Sequence, residues 1–177
     1  MFKIDKTWTL FLDRDGVINE RKFGDYVKTP EELIISDQNT IALRKLSSMF
    51  ARCVVVTNQQ CIAKGILTTV ELDEIHESMK SRVGKEVFDA VFYAPEWASD
   101  ENHTRKPRPI MAHRAKELFK EIDFNKSIMV GDTDSDIVFG QNLGMKTVLV
   151  KSNEKTTVKA DLIVTNLAEL VKILFEE

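Results

Sequence analysis

An α/β fold, with a doubly wound parallel sheet in a Rossmann-like core, is predicted by three observations on this sequence. Short apolar runs rich in β-branched or aromatic residues alternate with longer segments that carry helical spacing. The short runs do not alternate polar with apolar residues, as expected of strands covered on both faces. Several of them end in residues able to do chemistry, and in open sheets of this kind ligands collect at the carboxyl ends of the strands.

The strand-like runs are residues 8–12, 53–56, 90–93, 127–130 and 147–150, with a weaker one at 162–164. Between them, residues 38–49, 70–83, 110–119, 136–143 and 167–175 repeat apolar side chains at the spacing of one helix face. Asp37, Thr69, Pro109 and Asn166 are suitable helix-start residues, and Gly144 is a suitable stop. The acidic stretch around Glu71, Glu74 and Glu77 reads as a solvated helix face, with Leu72, Ile75 and Met79 turned inward. His76, His103 and His113 lack metal-ligand spacing and are expected at the surface.

At 177 residues, 43% hydrophobic and 30% charged, the chain suits one domain spanning 1–177 with a sizeable core. The net charge of −3 and the lack of a long Lys/Arg run argue against a nucleic-acid or membrane surface. No apolar run approaches membrane-spanning length, and the two cysteines have no disulfide-framework spacing. These features lead to the expectation of a cytoplasmic monomer.

The strand ends carry the functional signal. The first run passes into Asp13-Arg14-Asp15-Gly16, the second into Thr57-Asn58-Gln59, the third into a loop closed by Arg105-Lys106-Pro107, and the fourth into Gly131-Asp132 with Asp136. Gathered at one sheet edge, Asp13, Asp15, Asp132 and Asp136 repel one another by roughly 4 kcal/mol for a pair about 4 Å apart at an effective dielectric near 20. A cation should offset that repulsion, and oxygen ligands alone favour a hard ion such as Mg²⁺. Opposite them, Lys106 offers a point charge for phosphate oxygens, while Thr57 and Asn58 can donate hydrogen bonds from a loop. Along a strand end Asp13 and Asp15 share a side and Arg14 faces away. One aspartate can then attack phosphorus while the other protonates the leaving oxygen.

These four ordered motifs resemble those of the haloacid dehalogenase-like (HAD) phosphatases. FLDRDGVIN, VTNQ followed by IAKG, and Arg105-Lys106-Pro107 with Pro109 are similar to the branch that holds heptose bisphosphate and histidinol-phosphate phosphatases. The resemblance implies that Asp13 is the nucleophile and Asp15 the acid, then the base. It further implies that Thr57 and Lys106 hold the phosphoryl group and Arg105 helps recognise substrate. Mg²⁺ would be held by Asp13, the backbone carbonyl of Asp15, and Asp132, with Asp136 in or beside the set. The implied substrate is a small phosphorylated metabolite, first D-glycero-D-manno-heptose 1,7-bisphosphate and second histidinol phosphate. A phospho-accepting receiver-like switch is the alternative from another class, although its accepting aspartate lies on a later strand.

The chain departs from that pattern in places. The branch commonly carries a zinc-binding loop before the Arg-Lys-Pro motif, but Ala94, Glu96, Asn102 and Thr104 occupy its four ligand positions here. No structural zinc is expected, which leaves packing of Trp97 or a mobile loop. Cys61 and Ile110 stand where the relatives usually have glycine. Asp25-Tyr26-Val27 resembles an element of the heptose enzymes. The only insertion windows, 19–36 and 94–105, are too short for an independent cap domain, so a capless HAD core is expected, with specificity drawn from these two loops. Asp134 is read as a loop cap.

Overall fold

In the computed structural model, which describes residues 3–175, six parallel strands form one sheet in the order β3-β2-β1-β4-β5-β6. Along the chain these are β1 (Thr9–Leu12), β2 (Arg52–Asn58), β3 (Ala90–Ala94), β4 (Ser127–Gly131), β5 (Lys146–Val150) and β6 (Leu162–Val164). Four helices intervene, α1 (Asp37–Ser47), α2 (Thr69–Val83), α3 (Ile110–Leu118) and α4 (Asp134–Asn142), and α5 (Leu167–Phe175) follows β6. β1 lies between β2 and β4, so the order of winding reverses beside it, and its carboxyl end opens into the crevice where such sheets bind ligands.

The core follows from the period of two along each strand. Leu10, Leu12, Cys53, Val55, Ile128 and Val130 join the residues of α1, α2 and α5 on one face. Their neighbours Phe11, Val54, Val56 and Met129 pack on the other face with Met111, Ala112 and Ala115 of α3 and Phe139 of α4. All four residues of β1 are buried. Each fully buried apolar side chain of this size stabilises the fold by roughly 1.5–3 kcal/mol, and from Leu10 to Leu12 the central strand is wholly apolar until it leaves the sheet at Asp13.

Helix starts fall a residue or two from their expected positions, for a local reason. Ser36 accepts the Asn39 N–H, so Asp37 is already helical. Thr68, not Thr69, caps α2, because it can exchange hydrogen bonds with Glu71 in a capping box. α4 begins at Asp134 because Thr133 bonds Asp136 through its N–H at 3.0 Å and its hydroxyl at 2.7 Å. β2 also runs on to Asn58, where Thr57 and Asn58 pair with Tyr93 and Ala94. The two residues expected in a loop are thus strand residues, held more rigidly than a loop would hold them.

His76 corrects the surface expectation. It faces inward from α2, with its ring 5.7 Å from that of Tyr93, and Arg14 Nη1 donates to its Nε2 at 3.3 Å. Burial, then the Arg14 charge, lowers its pKa from 6.5 to about 3. The unfolded chain therefore takes up a proton below pH 6.5 that the folded chain refuses until about pH 3. Stability from the neutral ring is complete above pH 6.5 and is lost as pH falls through that window. Chemical denaturation at pH 7.5 and pH 5 should show His76→Gln losing less stability than the wild type, by on the order of 1–2 kcal/mol. Equal losses would exclude this account.

Candidate active site

Asp13 leaves β1 with its N–H bonded to the Val130 carbonyl at 2.9 Å, so its side chain emerges between β1 and β4. Asp132 and Asp136, from the end of β4 and the first turn of α4, converge on it, and ligand oxygens of the three lie within 4.8 Å of one another. All three residues are buried. Gly16 and Gly131 permit this crowding. A Cβ on Gly16, whose φ is +91°, would lie 2.2 Å from Asp132 Oδ2, and one on Gly131 would lie 2.0 Å from Asp136 Cβ.

Lys106 enters from the loop after β3 and closes the cluster. Its Nζ donates to Asp13 Oδ1 at 2.7 Å and to the Val56 carbonyl at 2.7 Å, and stands 2.6 Å from Asp136 Oδ1. That last contact is an ion pair with poor hydrogen-bond geometry, and Asp136 Oδ1 has no hydrogen-bond partner. Burial pushes the Asp13 carboxyl upward, opposed by Lys106 and reinforced by Asp136 and Asp132. Burial would also depress Lys106, but Asp13 and Asp136 hold it in its charged form. The directions conflict over the Asp13–Lys106 pair. The 2.7 Å contact, with a second carboxylate beside the ammonium, favours the charged pair. Negative charge remains in excess, and a divalent cation fits there by donor chemistry, an all-oxygen set of three buried carboxylates whose ligand atoms lie within 4.8 Å of one another.

Asp15 does not join this cluster through its carboxylate. Arg14, expected to face away, is wholly buried and turns back to donate to both Asp15 oxygens, at 2.9 and 2.8 Å. Asn19 Nδ2 and Gln59 Nε2 add hydrogen bonds at 2.9 Å each. Burial alone would raise the pKa, but these partners together lower it. Asp15 is thus held ionised, ready to take a proton. An anionic phosphate ester beside it would push the pKa upward, the direction that an acid requires. Its backbone carbonyl accepts from Arg21 Nη2 at 2.9 Å, the nitrogen that also donates to Asp132 Oδ1 at 2.6 Å.

Thr57 is buried, with Oγ1 accepting from Gln59 Nε2 at 2.9 Å. The Asn58 side chain is already engaged with the Lys106 backbone, accepting its N–H at 2.9 Å and donating to its carbonyl at 3.2 Å. It fixes the lysine loop, whereas the sequence suggests a phosphate contact for Asn58. Arg105 is half-buried and makes one long bond, to the Glu96 carbonyl at 3.4 Å. Asp134 accepts from Thr157 and Val158 and so ties the β5–β6 loop to α4. Lys155 of that loop lines the same cavity as Asp13, Arg105 and Lys106.

That cavity measures about 450 Å³, and its walls also include Arg21, Tyr26 and Gln60. A larger groove of about 610 Å³ between α1 and α5 has Ile41, Ala42 and Val171 on its walls and no carboxylate cluster. Sequence reading missed Arg21, Tyr26 and Lys155 as wall residues; only Tyr26 and the 19–36 window carried a hint. In the 94–104 loop the Thr104 hydroxyl donates to the Glu96 carboxylate at 2.9 Å, Asp100 accepts from the Trp97 N–H at 3.2 Å, and Ala63 N–H donates to the Pro95 carbonyl at 3.2 Å. Trp97 is instead 41% exposed, with Lys64 near its ring.

Buried aspartates, a lysine and a strand-end threonine at the crevice of this sheet define a HAD-type phosphatase. The HAD-hydrolase-like family model matches residues 103–170. D-glycero-D-manno-heptose-1,7-bisphosphate 7-phosphatase from Chlorobaculum tepidum is 34% identical over 157 residues, 81% of this chain and 78% of its own. D-glycero-beta-D-manno-heptose-1,7-bisphosphate 7-phosphatase from Pasteurella multocida is 33% identical, covering 93% and 95%. The structure of D,D-heptose 1,7-bisphosphate phosphatase from B. bronchiseptica, complexed with magnesium and phosphate, superposes with a TM-score of 0.84 at 27% identity, covering 96% of this chain and 98% of that one. The chain belongs to the heptose-1,7-bisphosphate 7-phosphatase family of HAD-like phosphatases. Among the described residues no helix is long and apolar enough to cross a membrane.

Proposed function

We propose that this phosphatase removes the 7-phosphate of D-glycero-D-manno-heptose 1,7-bisphosphate, acting as a single domain through an aspartyl-phosphate on Asp13. The observation that carries the reading is the pairing of the buried Asp13–Lys106 cluster with a cavity whose walls also include half-buried Arg105 and exposed Lys155. One phosphate needs only the inner set, and a second anionic group on the same small substrate matches the outer cations. Histidinol phosphate carries an ammonium where these cations stand, which disfavours it.

In the first step Asp13 Oδ attacks phosphorus, the bond from phosphorus to the sugar oxygen breaks, and that oxygen takes the proton that Asp15 acquires from solvent as the anionic ester binds beside it. In the second, Asp15 removes a proton from water, the water oxygen attacks phosphorus, and the acyl-phosphate bond breaks to return Asp13 and free phosphate. Thr57 and Lys106 hold the equatorial oxygens. Mg²⁺ would be held by Asp13, Asp132, the Asp15 carbonyl and, in or beside this set, Asp136, and would supply charge compensation for the phosphoryl group.

Phosphate release should be measured from both anomers of the bisphosphate, from heptose 7-phosphate and from histidinol phosphate. The bisphosphate should lead in kcat/KM by about tenfold or more, the worth of one charge-assisted contact. Lys155→Ala should raise KM for the bisphosphate severalfold while leaving kcat and the monophosphate nearly unchanged. Equal or better turnover of histidinol phosphate would replace the heptose assignment.

A further inference from the structure

Arg21 belongs to none of the four motifs, yet it makes the most extensive contacts at the acidic cluster. Its Nε and Nη2 donate to the two oxygens of Asp132 at 2.9 and 2.6 Å. The same Nη2 donates to the Asp15 carbonyl at 2.9 Å and stands 3.8 Å from Asp13 Oδ2. Burial would lower the guanidinium's pKa, but the Asp132 bonds and the charges of Asp132 and Asp13 hold it firmly protonated.

These oxygens are also those assigned above to the divalent cation. Mg²⁺ would have to approach them to about 2.1 Å, within a space that the guanidinium nitrogens already reach. Two positive groups so close, sharing the same acceptors, repel strongly in a buried site. The two cationic side chains of the cluster are not equivalent in this respect. Lys106 is enclosed, 1% exposed, and is anchored on Asp13 Oδ1, Asp136 and the Val56 carbonyl. Arg21 takes the opposite side of Asp13, is 24% exposed, and lies on the wall of the open cavity. It sits on the segment between β1 and the short 3-10 turn Pro30–Glu32, outside any helix or strand. The side chain has somewhere to go, and Lys106 does not. Charge points the same way: three carboxylates with one ammonium and one guanidinium leave a net −1. A divalent ion in place of Arg21 brings that sum to zero.

We infer that Arg21 is a built-in competitor of the divalent cation: guanidinium and ion occupy the same oxygens in turn, and the ion loads by exchange for Arg21. The inference rests on the reading of the acidic cluster as the cation site. In its ion-free form the protein keeps its buried aspartates paired, and its affinity for the ion is set below what the carboxylates alone would give.

The test is Mn²⁺ binding to the full chain without substrate, followed by electron paramagnetic resonance and repeated with Mg²⁺ by calorimetry. Arg21→Ala should bind the ion about tenfold more tightly than the wild type, or better, since no bidentate pair has to break. Arg21→Lys, which keeps the charge and loses the fork, should fall between them. It carries the test alone if the alanine variant does not fold. Melting temperatures without the ion should drop in Arg21→Ala, and the gap should close at saturating Mn²⁺. Equal or weaker ion binding by the folded variants overturns the exchange while leaving the cation site intact. Absence of ion binding in every protein, wild type included, overturns the cation site and the exchange with it.

Discussion

Asp13→Asn is expected to abolish phosphate release, lowering kcat on the order of 10⁴-fold or more, as removal of a covalent nucleophile does. The amide oxygen that replaces Asp13 Oδ cannot form a stable acyl-phosphate, and the charge facing Lys106 is lost. The fold should persist, because Lys106 keeps Asp136 at 2.6 Å and the Val56 carbonyl at 2.7 Å. Two measurements separate chemistry from binding. Acid-quenched wild type incubated with substrate should carry one phosphate by mass spectrometry, and the variant none. Turnover at saturating Mg²⁺ removes any weakening of the ion site from the comparison. A variant that keeps activity within tenfold of wild type would place the nucleophile elsewhere.

Asp15→Asn should be damaging in two distinct ways. Loss of the proton carrier should lower kcat by about 10²–10⁴-fold, the usual range for general acid–base groups. The second effect follows from Arg14, a wholly buried arginine whose one salt bridge among the described residues is with Asp15. Breaking a buried pair from one side costs about 3–5 kcal/mol, so the variant should also unfold at lower denaturant concentration. The sign with pH is fixed by the lowered pKa of Asp15. The stability it contributes is present above its ordinary value of 3.8 and is lost as pH falls through the lower folded value. The deficit of Asp15→Asn relative to wild type should therefore be full at neutral pH and shrink only in acid below about pH 4. The double variant Arg14→Met with Asp15→Asn should recover stability but not turnover. Recovery of turnover would mean that Asp15 acts only through Arg14.

The fold was legible in the sequence because its strands are short, apolar and covered on both faces, and because the segments between them carry helical spacing. All six strand-like runs lie within strands of the sheet except at Trp8, which precedes β1. The start of α2 could not be placed from pattern alone. Thr68 and Thr69 are both good caps, and only the backbone path decides which hydroxyl meets the Glu71 N–H. His76 was misplaced because its spacing on α2 puts it at the margin of the apolar stripe. What draws it inward is Arg14, 62 residues away in the chain.

At the site, Asp13, Thr57, Lys106, Asp132 and Asp136 could be found by motif and order, since each follows a strand whose end the topology delivers to one crevice. The sequence by itself determined a parallel sheet and that set of groups at its carboxyl edge. Hydrophobic periodicity is written locally, and local writing suffices for strands and helices. Only the tertiary structure decided that Arg14 turns back onto Asp15, that Asn58 holds the lysine loop, and that Lys155 reaches the cavity wall. It alone set Arg21 on Asp132, 111 residues along the chain. Long charged side chains on loops choose partners by distance in space, and no spacing in the sequence records which carboxylate folding will bring within reach.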